Sequence, residues 1–150
     1  MVWGQVCQEC INNLTNKYIM ADPTPIELKR GRATTFLLTY MPAVNSGTQT
    51  SKDFTSGFTA SLVIRRKIGN SYNGPEVDTL TTANNRITFP NPVVDGAQTG
   101  PNIKLIWSSA DSALLPNEAN RVFGDLKIST TGGSVEHSFR LTLDIIPEIK

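Results

Sequence analysis

The chain has little of what most chemistry needs. It carries two cysteines and one histidine in 150 residues, one donor short of a four-ligand Cys/His zinc site. Charged residues make up 18% and the formal net charge is +1, so no strong field steers it toward nucleic acid or an anionic membrane. Aromatics are 7%, thin for a surface that stacks sugars or bases. No apolar run approaches the roughly 20 residues that span a bilayer. The motifs G-x-x-x-x-G-K-[ST], G-x-S-x-G and H-E-x-x-H are missing from the sequence, and with them the simplest signs of phosphate binding, acyl transfer and zinc proteolysis. Met1-Val2-Trp3-Gly4-Gln5 lacks the basic start and long apolar centre of a secretory signal, so synthesis in the cytoplasm is expected.

The few reactive side chains are poorly placed for joint action. Cys7 and Cys10 form a single C-x-x-C, but the βαβ context of a redox centre is absent. They read as reduced thiols, or as weak candidates for a metal whose site is completed by another subunit. His137 alternates in register with Phe139 and Leu141 and reads as a structural, hydrogen-bonded histidine. No catalytic residues, resident metal or cofactor are expected, and the chain is not read as an enzyme.

What the sequence does contain is alternation. After the turn cluster Asp53-Phe54-Thr55-Ser56-Gly57, the residues Phe58, Ala60, Leu62 and Ile64 share one face. Thr59, Ser61, Arg65 and Lys67 share the other, the period-2 pattern of a half-buried strand. Ile26 and Leu28 begin an earlier strand that stops at Arg30-Gly31, and Phe36, Leu38 and Tyr40 alternate up to Pro42. The polar stretch 44–53 predicts a mobile loop. Val77 to Leu80 and Ile87 to Phe89 predict two short strands about a turn at Asn84-Asn85, ended by Pro90 and Pro92. A loop is expected over 95–102, followed by a strand through Ile103, Leu105 and Trp107. Ser108 is placed to cap a helical turn that Pro116 cannot continue. Val122, Leu126 and Ile128 alternate, Thr131-Gly132-Gly133 suits a hairpin, and the last strand runs from Val135 to Ile145. The expectation is an all-β protein, an antiparallel immunoglobulin-like β-sandwich of about eight strands. Its core should include Phe58, Leu62, Ile64, Trp107, Leu126, Phe139, Leu141 and Leu143.

The N-terminal segment is different. Trp3, Val6, Cys7, Cys10, Ile11, Leu14 and Tyr18 recur three or four apart, as on one stripe of a helix, and an extended arm fits as well. Pro23 and Pro25 stiffen the link. The expected organisation is an N-terminal arm or short helix with its linker over 1–25 and a sandwich domain over 26–150. Trp3, Val6, Ile11, Leu14 and Tyr18 are the candidate subunit-docking residues.

Several segments, taken in order, resemble a small all-β domain of tailed phages, similar to the N-terminal domain of siphophage baseplate upper proteins and tail-fibre adaptors. They are Ile26 to Gly31, Asp53-Phe54-Thr55-Ser56-Gly57 with the strand to Lys67, and Arg86-Ile87-Thr88-Phe89. Lys104 to Leu114, Gly124-Asp125-Leu126-Lys127-Ile128, the Gly132-Gly133 turn and the run into Ile146-Pro147-Glu148 complete the set. The match covers roughly 26 to 148 and leaves out the arm. The turn is one residue longer than is usual there, and the loops 44–53 and 90–102 are long.

The resemblance implies a bacteriophage virion protein of the tail or baseplate, connecting the tail to fibres through contacts with other virion subunits, and a homo-oligomer in the particle. It would be made in the host cytoplasm, with no nucleic-acid or membrane partner. A capsid decoration or head–tail junction protein is the alternative position. A carbohydrate- or receptor-binding module is the alternative of another class. For that class Tyr72 is the one aromatic well placed on a loop, whereas Trp107 reads as core and Trp3 as an interface residue of the arm.

Overall fold

The computed structural model describes residues 17–19, 25–44 and 46–148. In chain order the elements are β1 (Lys17–Ile19), β2 (Ile26–Lys29), β3 (Thr34–Leu38), β4 (Tyr40–Pro42), β5 (Phe58–Arg65) and β6 (Glu76–Thr81). They continue with β7 (Ile87–Thr88), β8 (Val93–Val94), β9 (Ala97–Gln98), β10 (Ile103–Trp107), α1 (Ser109–Ala113), β11 (Asn120–Thr130) and β12 (Val135–Ile146). The protein is predominantly β. The chain divides into two compact units that interleave in sequence. One comprises β1, Leu37–Gly57 and Thr88–Lys104; the other comprises Pro25–Phe36, Phe58–Ile87 and residues 105–148. Strands β3, β10 and β7 form a three-stranded sheet in that order.

The second unit holds a five-stranded sheet, β2-β12-β11-β5-β6. Neighbours β12/β11, β11/β5 and β5/β6 are antiparallel. β2 instead lies parallel to β12, with Ile26 beside Leu143. A parallel pair needs a long crossover, and residues 30–134 separate these two strands.

One face of the sheet is a row of apolar side chains in register. Leu126 stands between Leu62 and Phe139, and Leu62 stands opposite Leu80. Leu28, Leu62, Ile64, Leu80, Leu105, Trp107, Val122, Leu126, Ile128 and Leu143 are buried. Gly124 belongs to the same row: a Cβ there would lie 2.6 Å from Leu62 Cδ1 and 3.4 Å from Leu143 Cδ1. Its neighbours fill the space a side chain would take. Phe58 and Phe139, expected in the core, are only half-buried, because each lies toward the Thr130–Val135 end, where the β11–β12 hairpin carries exposed side chains.

Helix α1 starts as its sequence predicts. Ser108 Oγ accepts the Asp111 N–H at 3.0 Å and Asp111 Oδ2 accepts the Ser108 N–H at 3.0 Å, a capping box. Ser112, buried on this helix, donates its hydroxyl to Arg32 O at 2.8 Å.

The first unit was less visible in the sequence. Phe54, within the turn cluster, is fully buried between Tyr40 at 6.2 Å and Phe89 at 5.4 Å, ring centroid to centroid. Burial pushes the Tyr40 hydroxyl above its ordinary pKa. Buried Asn102 replaces a missing ladder: its Oδ1 accepts the Tyr40 N–H at 2.9 Å, and its Nδ2 donates to Tyr40 O at 2.9 Å and Lys52 O at 2.7 Å. The polar loop, expected to be mobile, is stitched down at its end. Ser51 donates to Gln98 O through its N–H and to Gly100 O through its hydroxyl, both at 2.7 Å.

Two further expectations change. β6 and β7 do not pair with each other, since β6 edges the five-stranded sheet and β7 pairs with β10. The stretch 95–102 is not all loop, because β8 and β9 form a hairpin with Val93 opposite Gln98 and Val94 opposite Ala97. Asp95 (φ 52°) and Gly96 (φ 80°) turn it, the pair of positive φ angles that a tight two-residue hairpin demands.

Candidate functional site

Of the residues singled out for docking or metal binding, Trp3, Val6, Cys7, Cys10, Ile11 and Leu14 lie outside the described residues. Tyr18 lies in β1, in register with Met41 of β4, so this part of the N-terminal segment is a strand and not a helix. His137 stacks on Phe139 with centroids 6.2 Å apart. Among the described residues no three His, Cys, Asp or Glu side chains are grouped to hold a metal ion. No helix among them is long and apolar enough to cross a membrane.

Trp107 is buried, as its register predicts. Its indole N–H donates to Asp78 Oδ2 at 3.1 Å. The same carboxylate takes a two-pronged bond from Arg86, at 2.9 Å and 2.7 Å, and Arg86 Nε lies 3.4 Å from Asp111. Burial disfavours the Arg86 charge, but Asp78 and Asp111 together outweigh this and raise the guanidinium pKa. The Ser108 N–H holds the Asp111 carboxyl below its ordinary value against a burial effect of opposite sign, with the Ser108 hydroxyl and Arg86 adding to the lowering. With two carboxylates around one guanidinium, the cluster fastens β6 to the start of α1.

The one loop aromatic flagged by the sequence sits differently. Between β5 and β6 the chain closes on itself through paired Ile68–Ser71 bonds of 2.8 and 2.9 Å. Gly74 passes so close to Arg66 O that a Cβ would stand 2.1 Å from it. This fold-back lays Tyr72 edge-on to Phe123 of β11, with centroids 4.9 Å apart at 78°. The guanidinium carbon of Arg140 lies 3.9 Å from the Tyr72 ring centroid and Lys67 Nζ lies 4.9 Å away. Arg140 is also bonded to Asp125 at 3.1 and 3.2 Å. These side chains stand on the face of the sheet opposite the core. A sugar stacking on the cation-bearing face of Tyr72 would first have to displace Arg140, whose cation–π contact contributes roughly 0.5–1 kcal/mol at such sites. Phe123 and Arg140 were readable as outward residues, but their meeting under Tyr72 depends on the loop.

No protein-family model matches the chain, and no curated protein matches it.

Proposed function

We propose that this is a bacteriophage virion structural protein, a tail or baseplate component that connects the tail to fibres by subunit contacts. A capsid-decoration or head–tail junction position is the alternative placement. Its fold is read as an immunoglobulin-like β-sandwich of about eight strands, the five-stranded sheet and the sheet β3-β10-β7 being its layers. The bonds from Trp107 and Arg86 to Asp78 of β6 support that reading. The observation that carries the assembly role is β1. Part of the N-terminal segment joins β4 by strand pairing, Lys17 to Pro42 through Ile19 to Tyr40. A segment that binds by adding a strand can equally bind a neighbour's strand. The arm, with Trp3, Val6, Ile11, Leu14 and Tyr18 as contacts, is therefore the proposed docking element, the neighbours being other virion proteins. No catalytic step and no cofactor belong to this reading.

The test is a chain that begins at Thr24, compared with the full chain for incorporation into particles and located in them by electron microscopy. The truncated chain should stay out of particles. Normal incorporation would overturn the docking role of the arm. Saturable binding of the full chain to a glycan array would favour the receptor-binding alternative, with Tyr72→Ala as the variant that abolishes it.

A further inference from the structure

The two edges of the five-stranded sheet are treated unequally. Along β6 the N–H of Thr82 donates to Ala60 O, so alternation turns the backbone of Thr79 and Thr81 to the outside. All four of those groups are satisfied locally. Thr79 N–H donates to Asp78 Oδ1 at 2.9 Å, and Thr79 O accepts from Arg86 and Asn84 at 3.3 Å each. Thr81 N–H donates to Asn84 Oδ1 at 3.0 Å, and Thr81 O accepts the Arg86 N–H at 3.2 Å. Side chains and the Arg86 N–H thus occupy the outward groups of Thr79 and Thr81 and hinder an added strand there.

Among the described residues the other edge, β2, has no strand beside it beyond β12. Arg30 N–H donates to Ile146 O, which turns the backbone of Glu27 and Lys29 away from β12. Among the described residues Glu27 N–H, Glu27 O and Lys29 N–H take no hydrogen bond, and Lys29 O accepts only the Arg32 N–H, at 3.0 Å. Both side chains are exposed, and neither has an ion-pair partner among the described residues. The nearest register neighbour of Glu27 on β12 is Asp144, whose carboxylate is taken by Arg121 at 2.8 and 3.1 Å.

We propose that a second copy of this chain occupies the edge, β2 pairing antiparallel with β2 about a twofold axis through Leu28. The charges select this occupant. In that register Glu27 of each copy faces Lys29 of the other, and the residues brought opposite are those whose backbone groups point outward. Each such pair exchanges the N–H···O bonds of a hydrogen-bonded antiparallel pair, and the opposite charges attract across it. Leu28 faces its own symmetry mate, already on the buried side of the sheet. The result is a continuous ten-stranded sheet. The inference does not depend on the virion role.

The experiment is sedimentation equilibrium of the full chain from about 1 µM to about 1 mM, a range that covers weak dimers. The wild type should dimerise. Glu27→Lys and Lys29→Glu should each weaken the dimer about tenfold or more, since two attractive pairs become repulsive. Glu27→Lys combined with Lys29→Glu should restore it. The two single variants, each a weakened dimer alone, should form a tighter heterodimer when mixed, and this result does not depend on any loss of folding. A wild type that remains monomeric at 1 mM overturns the inference. So does a dimer whose strength ignores these charges, or singles that fail to combine.

Discussion

A single missing methyl group organises the second unit. Gly124 sits where the side chains of Leu62 and Leu143 already meet, so an added methyl has to push packed atoms aside. Gly124→Ala should cost about 1–3 kcal/mol, although alanine normally costs a strand less conformational entropy than glycine. Leu62→Ala should cost about 2–5 kcal/mol. The double variant should be more stable than the sum of the two losses, because the new methyl enters the new cavity. Additive urea-denaturation values would show that the two positions do not share space. Asp111 supplies a different test. Its pKa is lower in the folded chain, so ionised Asp111 stabilises above the ordinary carboxylate value of about 4, and that contribution disappears as pH falls through the folded value. The gap in thermal midpoint between wild type and Asp111→Asn should therefore be widest near neutrality and close in acid. A gap that is the same at pH 7 and pH 3 would assign the effect to the shape of the side chain and not to its charge.

Elements were legible where one face is buried. β5, β10 and β12 alternate because each second side chain meets the core, and Ser108 announced α1 because its cap lies within four residues of sequence. Phe54, Ser51 and Asn102 gave no such signal. Each lies in or beside a polar stretch, and its burial depends on partners elsewhere: Phe89 for Phe54, Gly100 for Ser51, Tyr40 for Asn102. The partner of β7 was equally hidden, since pairing with β10 and not with the adjacent β6 is a non-local choice. Asp95-Gly96 did carry a local hairpin signal, masked by the prolines and glycines around it. Because Gly96 has φ 80° and open space around its Cα, Gly96→Val should be strained by backbone conformation alone, by about 1–3 kcal/mol. Asp95→Asn should be nearly neutral, as asparagine tolerates the same angles. Equal losses in both variants would mean that the Asp95 carboxylate, and not the turn angle, holds the hairpin. The candidate patch was half legible: Tyr72 stood out on its loop, but the meeting of Phe123, Lys67 and Arg140 needed the Ile68–Ser71 closure to create it.

For the whole molecule, the interleaving of the two units bears on the arm. All segments of the second unit lie beyond residue 24, and among the described residues of the first only β1 is lost by a chain that starts there. Such a chain should unfold cooperatively, with a urea midpoint near that of the full protein, while losing its place in particles. A truncated chain that cannot fold would make the N-terminal segment part of the core. Agreement between the sequence reading and the structure is closest for the five-stranded sheet, whose strands announce themselves by period. It is weakest for the first unit, whose strands β1, β4, β8 and β9 are too short to show a period.

The pairing of β2 with β12 has a consequence for how the protein is made. The partner of Ile26, Leu143, lies 117 residues further along. At translation speeds of about 5–20 residues per second, the ribosome takes roughly 6–23 s to supply it. During that interval the first strand of the larger sheet has no native partner on either side, and neighbouring nascent chains on one messenger expose the same four residues. The final sheet can close only once the last strand is available, so its completion waits on the synthesis of β12. Translation speed between the codons for β2 and those for β12 should then govern how much newborn protein reaches the native state.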